Sequence, residues 1–422
     1  MSTVYNIIIY SYYFLIKIAA ATGNAKAKSW VEGRRKEFER LKKSIGKYDE
    51  IIWFHCASLG EFEQGRPVIE KVKKTYPNHK ILLTFFSPSG YENKKHWEGA
   101  DYIFYLPVDT HLKAKKFVSI VKPKVVVFVK YEFWFNYINE LYKRKIPLII
   151  ISAVFRPGQY FFKFWGYWFK RQMQKISYIF VQDERSSQLL NSINIYHNEV
   201  VGDTRFDRVV KIMEEAQELP FVEEFKGGGK LLVAGSTWHP DEAVLHAVMR
   251  NEPQVKLIVA PHVTDKRHID ELVKRFSAFN PVLYSQYSKG DGNIAGSRVF
   301  IIDTIGMLSK LYRYADLAYI GGGFGAGIHN TAEAAVYGVP VMFGPNYKKF
   351  REAVALLDRG GAFTFDTEKE ALKIAGKLLS DDTFRIDAGK KAAAYIMENR
   401  GATNLITDKI KEYLIPDMQP LR

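Results

Sequence analysis

Cysteine is almost absent: the 422-residue chain contains one, Cys56. That excludes a disulfide scaffold and any multi-cysteine zinc site, and it fits a reducing compartment. Repeats and low-complexity tracts are missing. With 47% hydrophobic and 25% charged residues, disordered and collagen-like classes are excluded. No Gly-Lys-Ser/Thr is present, so there is no Walker A phosphate loop. His55, His239, His262 and His329 are scattered along the chain, and no metal cluster is expected from them. Acidic residues are in deficit, 46 against 61 Lys and Arg, which leaves a net charge of +15. Aromatic residues, in contrast, reach 14%. A basic, aromatic-rich chain points to an anionic partner: nucleic acid, anionic lipid or a phosphorylated substrate. The length allows two or three domains at about 150 residues each.

Charge is also missing from the N-terminus. Met1 to Ile16 carries none, and residues 4–20 read VYNIIIYSYYFLIKIAA. A spanning helix wants about 20 apolar residues. This run is shorter, is interrupted by Asn6 and Ser11, and is crowded with Tyr5, Tyr10, Tyr12 and Tyr13, a residue type that favours membrane interfaces. A basic stretch follows, with Lys26, Lys28, Arg34, Arg35, Lys36, Arg40, Lys42 and Lys43 against Glu32, Glu37 and Glu39. The pair of segments suits an anionic membrane surface with the basic part cytoplasmic. A helix packed into the first domain is the competing reading. A cleaved signal would need positive charge ahead of the apolar run, and none is there.

Beyond it, short branched apolar runs alternate with amphipathic helical patterns. The strand-like runs are Ile51–His55, Ile81–Phe85, Val125–Val129, Leu148–Ser152 and Ile176–Val181, then Leu231–Ala234, Lys256–Ala260, Arg298–Ile302, Leu317–Ile320 and Val339–Phe343. Helical patterns include 63–76 and 132–144. The alternation predicts two α/β domains with doubly wound parallel sheets facing a cleft. The expected division is a membrane-associating helix at 1–22, a first domain at 23–205, a linker at 206–229, a second domain at 230–400 and a helical tail at 401–422. Pro220 and the run Gly227-Gly228-Gly229 mark the linker.

Ligands of open α/β sheets bind beyond the carboxyl ends of strands. In the second domain three loops fall there: Gly235-Ser236-Thr237, Pro261-His262, and Gly321 to Gly327 running into His329-Asn330 and Glu333. The glycines permit tight turns and let backbone N–H groups approach an anion, or simply turn a strand into a helix. A helix starting near Asn330 would add its positive end. Glu333 is placed to accept from a ribose diol, or to sit as a first-turn glutamate. In the first domain, Ser58-Leu59-Gly60-Glu61 follows the first strand. Glu61 is either a general base acting on a hydroxyl or a helix-capping residue. Ser87-Pro88-Ser89-Gly90 and Lys130-Tyr131-Glu132 follow two further strands.

These stretches, in this order, resemble the 3-deoxy-D-manno-octulosonic acid (Kdo) transferases of lipopolysaccharide synthesis. The likeness is carried by His55 to Glu61, Ser87 to Gly90, Tyr105-Leu106-Pro107-Val108-Asp109 and Glu132-Phe133-Trp134-Phe135-Asn136. In the second half it continues with Ala234 to Thr237, Asp303-Thr304, Gly321-Gly322, His329-Asn330 with Glu333, and Gly344-Pro345-Asn346 with Phe350-Arg351-Glu352. The resemblance implies two Rossmann-like domains in the GT-B arrangement, and inverting transfer of Kdo from CMP-Kdo to a lipid A precursor without a catalytic metal or added cofactor. It makes Glu61 the base. Ser236, Thr237, Pro261, His262, Gly322, Gly323, Asn330 and Glu333 become donor contacts. Ser58, Gly60, Ser89, Glu132, Arg156 and Arg205 become acceptor or sugar contacts. The chain departs from the pattern at Lys130, His262, Arg205 and Ile328.

The implied partners are a lipid A precursor and the anionic inner-membrane surface at its cytoplasmic face, with no nucleic acid. Residues 160–175, YFFKFWGYWFKRQMQK, mix aromatic and basic side chains as an interfacial segment would, or as an aromatic core helix with solvated lysines would. Arg156 stands ahead of them to meet a phosphate. The alternatives are a transferase using a UDP- or GDP-sugar, a basic nucleic-acid-binding protein, and a non-catalytic homologue.

Overall fold

The structure is a computed structural model, and it describes residues 2–291, 294 and 296–415. It divides into two compact units, one running to Asp207 and resuming at Gly401, the other spanning Arg208–Arg400.

The first unit is built on seven parallel strands: β1 (Ile51–Cys56), β2 (Lys80–Phe85), β3 (Tyr102–Tyr105), β4 (Val125–Val129), β5 (Leu148–Ala153), β6 (Tyr178–Val181) and β7 (Asn198–Val200). Their order is β3-β2-β1-β4-β5-β6-β7. The central strands are continuous Val/Ile/Leu/Phe runs because helices cover both sheet faces; all of β1 and β4 is buried. One face packs Trp53, Phe117, Phe128 and Tyr137; the other packs Phe54, Phe62, Val68 and Phe85.

The second unit repeats the plan with β8 (Lys230–Thr237), β9 (Val255–Pro261), β10 (Val282–Leu283), β11 (Val299–Ile301), β12 (Leu317–Ile320), β13 (Val341–Phe343) and β14 (Ala362–Thr364). Their order is β10-β11-β9-β8-β12-β13-β14. In each sheet the winding direction reverses beside the first strand, between β1 and β4 and between β8 and β12. Such reversals open a crevice at the carboxyl ends of the strands.

Every strand read from the sequence is present, with ends shifted by up to three residues, the most at β8, which runs on to Thr237. The four unanticipated strands are the edges β3, β7, β10 and β14. All are two to four residues long and mostly half-buried.

The division of the chain also differs from expectation. Residues 206–229, expected as the linker with a helical pattern ahead of Pro220, fall in the second unit from Arg208. They hold two helices, Thr204–Glu214 and Pro220–Lys226, and the second buries Val222 and Phe225 and sets Phe225 against Phe300. The segment from Gly401 is not a separate tail. Its helix Ala402–Leu414 buries Ile406 and Ile410 in the first unit's core. The Asp207 carboxylate fastens its start, accepting from the Gly401 and Thr403 amides at 2.6 and 2.8 Å. Residues 416–422 lie outside the described residues.

The N-terminal helix Ser2–Ala21 combines both readings of its sequence. A seam of Tyr5, Ile9, Tyr13 and Ile16 docks on the first unit through Trp30, Phe86, Val108 and Trp134. The Tyr5 hydroxyl donates to Asp109 at 2.5 Å, and Asn136 donates to Asn6 at 2.9 Å. The remaining faces leave Ile7, Ile8, Phe14 and Leu15 about 60% exposed. By length and composition this is the one helix among the described residues that could cross a membrane. Arg34 leaves the expected surface cluster: it is buried, donates to the carbonyls of Leu106, Trp30 and Phe86, and lies over the Trp30 ring.

The 160–175 segment is similarly divided. It forms two 3₁₀ turns and the helix Tyr167–Met173. Phe161 is buried and Trp168 packs on Phe135 and Tyr5, while Phe164, Trp165 and Tyr167 face solvent.

Candidate active site

In the first unit the site forms at the β1–β4 reversal. After β1 the chain turns through Ser58 into the helix Leu59–Thr75, which starts four residues earlier than its pattern suggested. Glu61 lies in the first turn and its carboxylate accepts from the Ser58 amide at 3.0 Å. It is therefore the capping residue that the sequence allowed. Capping does not exhaust it, because burial, and then the negative charge of Glu132, push its carboxyl up to about 7. The Ser58 amide and Lys130 oppose that rise. A carboxylate with this proton affinity is suited to general-base work near neutral pH. A Cβ on Gly60 would meet nothing within 4 Å, so there is open space beside the base.

Glu132 follows β4 and is buried. It does not open a helix as expected; the helix begins at Phe135. Its carboxylate is held by His55 Nε2 at 3.1 Å and by the Trp134 indole. His55 Nδ1 in turn lies 2.9 Å from the Thr84 hydroxyl. Glu132 thus acts on Glu61 from a fixed position. Lys130, a departure from the family pattern, adopts a left-handed backbone with φ of 67° and supplies the local positive charge.

The structure ties Ser89 to the same region. The Ser87 amide donates to the Ala57 carbonyl at 2.7 Å, which couples the β2 loop to the β1 loop, and Ser87 and Ser89 share a hydrogen bond of 2.8 Å. Arg156 is exposed after β5. Arg205 is paired with Asp203, with Nε and Nη2 at 2.9 and 2.7 Å from one carboxylate oxygen.

In the second unit the loops after β8, β12 and β13 pack backbone against backbone. A Cβ at Gly321 would come within 2.3 Å of the Ser236 carbonyl, and one at Gly323 within 2.6 Å of Gly344. The glycine run is therefore needed first for loop packing. Gly322 is further committed: with φ of +93°, its amide donates to the Asp241 carboxylate at 2.9 Å and is not offered to an anion. Thr237 is also corrected, because its buried hydroxyl donates to Glu242 at 3.3 Å rather than pointing outward. Ser236 holds a left-handed φ of 54°, a strained conformation of the kind kept at functional loops.

Asn330 and Glu333 do meet, with the Asn330 amide donating to Glu333 at 3.0 Å. The helix expected there is a single turn, Ala332–Ala335, and contributes no useful dipole. Burial raises the Glu333 carboxyl, while Asn330 and the Arg208 charge oppose it. Pro261 ends β9, and the His262 ring sits stacked between Trp238 and His329, with centroids at 4.7 and 4.5 Å. Burial, helped by His262, lowers His329 to about 4, so it is neutral at physiological pH.

Beside these loops lies a cavity of about 610 Å³ lined by Gly325, Asn346, Lys348, Lys349, Thr364 and Asp366 among others. Sequence reasoning passed over Lys348 and Lys349. The signal was present, since a lysine pair follows the Gly344-Pro345-Asn346 turn. The histidines are not scattered either: His262 pairs with His329, and His239 packs against His268 at 4.5 Å.

Residues 32–208, which leave out the N-terminal helix and the segment from Gly401, match the family described as 3-deoxy-D-manno-octulosonic-acid transferase (kdotransferase). The 3-deoxy-D-manno-octulosonic acid transferase of Haemophilus influenzae is 25% identical over 89% of this chain and 92% of its own length. That of Aquifex aeolicus is 26% identical over 90% and 99%. The chain is thus similar to the Kdo transferases over most of its length, and its residues 32–208 match their family model. A bifunctional glycosyltransferase/methyltransferase of Fusobacterium nucleatum is 27% identical over 87% of this chain, which spans 59% of that relative. Among solved structures, a UDP-GlcNAc 2-epimerase from Neisseria meningitidis superposes with a TM-score of 0.60 at 14% identity, covering 86% of this chain and all of that one. Acinetobacter baumannii MurG gives 0.53 at 12% identity, covering 86% and 99%. These likenesses establish a GT-B-type fold for this chain.

Proposed function

We propose that this chain is an inverting glycosyltransferase that moves Kdo from CMP-Kdo to a lipid A precursor at the cytoplasmic face of the bacterial inner membrane. The match of residues 32–208 to the Kdo transferase family model and the similarity to curated Kdo transferases support the reaction class. The observation that carries the mechanism is Glu61, raised to about 7 at the carboxyl end of β1.

In the proposed step Glu61 accepts the proton of an acceptor hydroxyl. The oxygen attacks the anomeric carbon of Kdo, the new C–O bond forms, and the bond to the phosphate breaks with CMP leaving. Attack from the face opposite the leaving group inverts the centre, and one base suffices. Glu132, fixed by His55 and Trp134, keeps Glu61 basic enough to take that proton. In the second unit, the strained Ser236, the Asn330–Glu333 pair and the lysine-lined cavity supply polar and cationic contacts for a nucleotide sugar. Cations placed against the leaving phosphate stabilise developing charge.

The acceptor is amphiphilic, and so is the first unit's surface. The N-terminal helix exposes Ile7, Ile8, Phe14 and Leu15, the 160–175 segment exposes Phe164, Trp165 and Tyr167, and the two segments touch at Tyr5 and Trp168. They suit insertion at a lipid interface beside the basic residues that follow the helix. A transfer assay with CMP-Kdo and a tetra-acylated lipid A precursor tests the reading. Labelled Kdo should appear in the lipid fraction; label retained by wild type when CMP-Kdo is replaced by a UDP-sugar donor would overturn it.

A further inference from the structure

The helices that follow β8 and β9, His239–Asn251 and Lys266–Arg275, bring three metal-ligating side chains together. His239 and Glu242 are one turn apart on the same helix face, and His268 reaches them from the second helix. Their candidate ligand atoms all lie within 4.8 Å of one another. His268 Nε2 is 2.8 Å from Glu242 Oε1, and His239 Nδ1 is 3.5 Å from Glu242 Oε2. A tetrahedral zinc site with bonds near 2.1 Å sets its ligands about 3.4 Å apart, and each imidazole already stands close to that distance from one of the two Glu242 oxygens. Glu242 and His268 are buried at 1% and 6% exposure, whereas His239 sits 53% exposed at the rim and can adjust its ring.

The surroundings are those of a metal site. The second ring nitrogen of His239, Nε2, lies 3.5 Å from the Glu271 carboxylate, and Arg267 holds that carboxylate at 3.1 Å. A carboxylate behind a ligating imidazole orients the ring and raises its basicity. Glu242 is itself steadied by the Thr237 hydroxyl.

We propose that His239, Glu242 and His268 form a Zn²⁺ site that clips these two helices together, with a water in the fourth position. Two imidazoles and one carboxylate select zinc and its neighbours over magnesium, which demands oxygen ligands. His268 then offers its Nε2 lone pair and carries its proton on Nδ1. The clip steadies the start of both helices and, through Thr237, the loop carrying Ser236.

The test uses the untagged full chain, freed of metal with a chelator and titrated with Zn²⁺ against a chromophoric competitor. The expected result is one equivalent bound, a melting temperature that rises with Zn²⁺, and tetrahedral visible bands when Co²⁺ replaces it. His239→Ala, at an exposed position, should keep the metal-free melting temperature and lose the equivalent. Glu271→Gln should weaken binding about tenfold. Absence of stoichiometric binding by the wild type, or equal binding by His239→Ala, would overturn the proposal. The readout is metal occupancy, so it stands apart from any transfer activity.

Discussion

Glu61 is a capping residue and a high-affinity proton acceptor at once, and the two roles respond differently to substitution. Glu61→Gln keeps an oxygen for the Ser58 amide but cannot take a proton. Transfer should fall by about 10²–10⁴-fold while the fold persists. Stability should move the other way. A carboxyl whose folded pKa is raised costs stability once it ionises: the folded state is favoured most below the unfolded value of 4.5, and that advantage is lost as pH rises through about 7. Glu61→Gln should therefore be more stable than wild type at pH 8, by on the order of 1–3 kcal/mol, and the gap should close toward pH 4. Melting curves at the two pH values check this. The same shift puts the rising limb of the pH–rate profile near 7. Removing the Glu132 charge with Glu132→Gln should move that limb to lower pH, which a kcat/KM profile would resolve. An unmoved limb would mean that Glu132 does not tune the base.

At the scale of elements, the glycine-rich loops divide into positions that are filled and positions that are open. Gly321→Ala drives a methyl toward the Ser236 carbonyl, which must shift the β8 loop, and it should cost several kcal/mol in a denaturant melt. Gly60→Ala meets no neighbour and should fold normally. Any loss of activity there would report on substrate beside Glu61. The elements also show why some of the fold was legible in sequence and some was not. Strands covered on both faces, such as β1 and β4, declare themselves as unbroken apolar runs. The four edge strands are half-wet and only two to four residues long, although β3, YIFY, is apolar throughout and could have been read. The approach of His239 to His268 depends on how two helices meet, and spacing along the chain does not encode it. Gly322 and Thr237 sat in the expected loops, but neighbouring carboxylates, Asp241 and Glu242, claimed their donors.

For the whole molecule, the net charge of +15 and the exposed apolar helix both suit the anionic membrane surface of the proposed function. Binding to anionic vesicles should weaken with salt but not vanish, since apolar insertion is not screened. Replacing Phe14 and Leu15 with serine should reduce vesicle partitioning and leave the melting temperature unchanged, because both side chains face away from the docked seam. Affinity for DNA that matches affinity for vesicles at moderate salt would favour a nucleic-acid partner instead. The most direct test of the central claim is transfer of Kdo from CMP-Kdo to a tetra-acylated lipid A precursor, comparing wild type with well-folded Glu61→Gln. The account predicts product from the wild type and almost none from the variant. Equal product from both would contradict the role of Glu61, and product from neither would contradict the reaction itself.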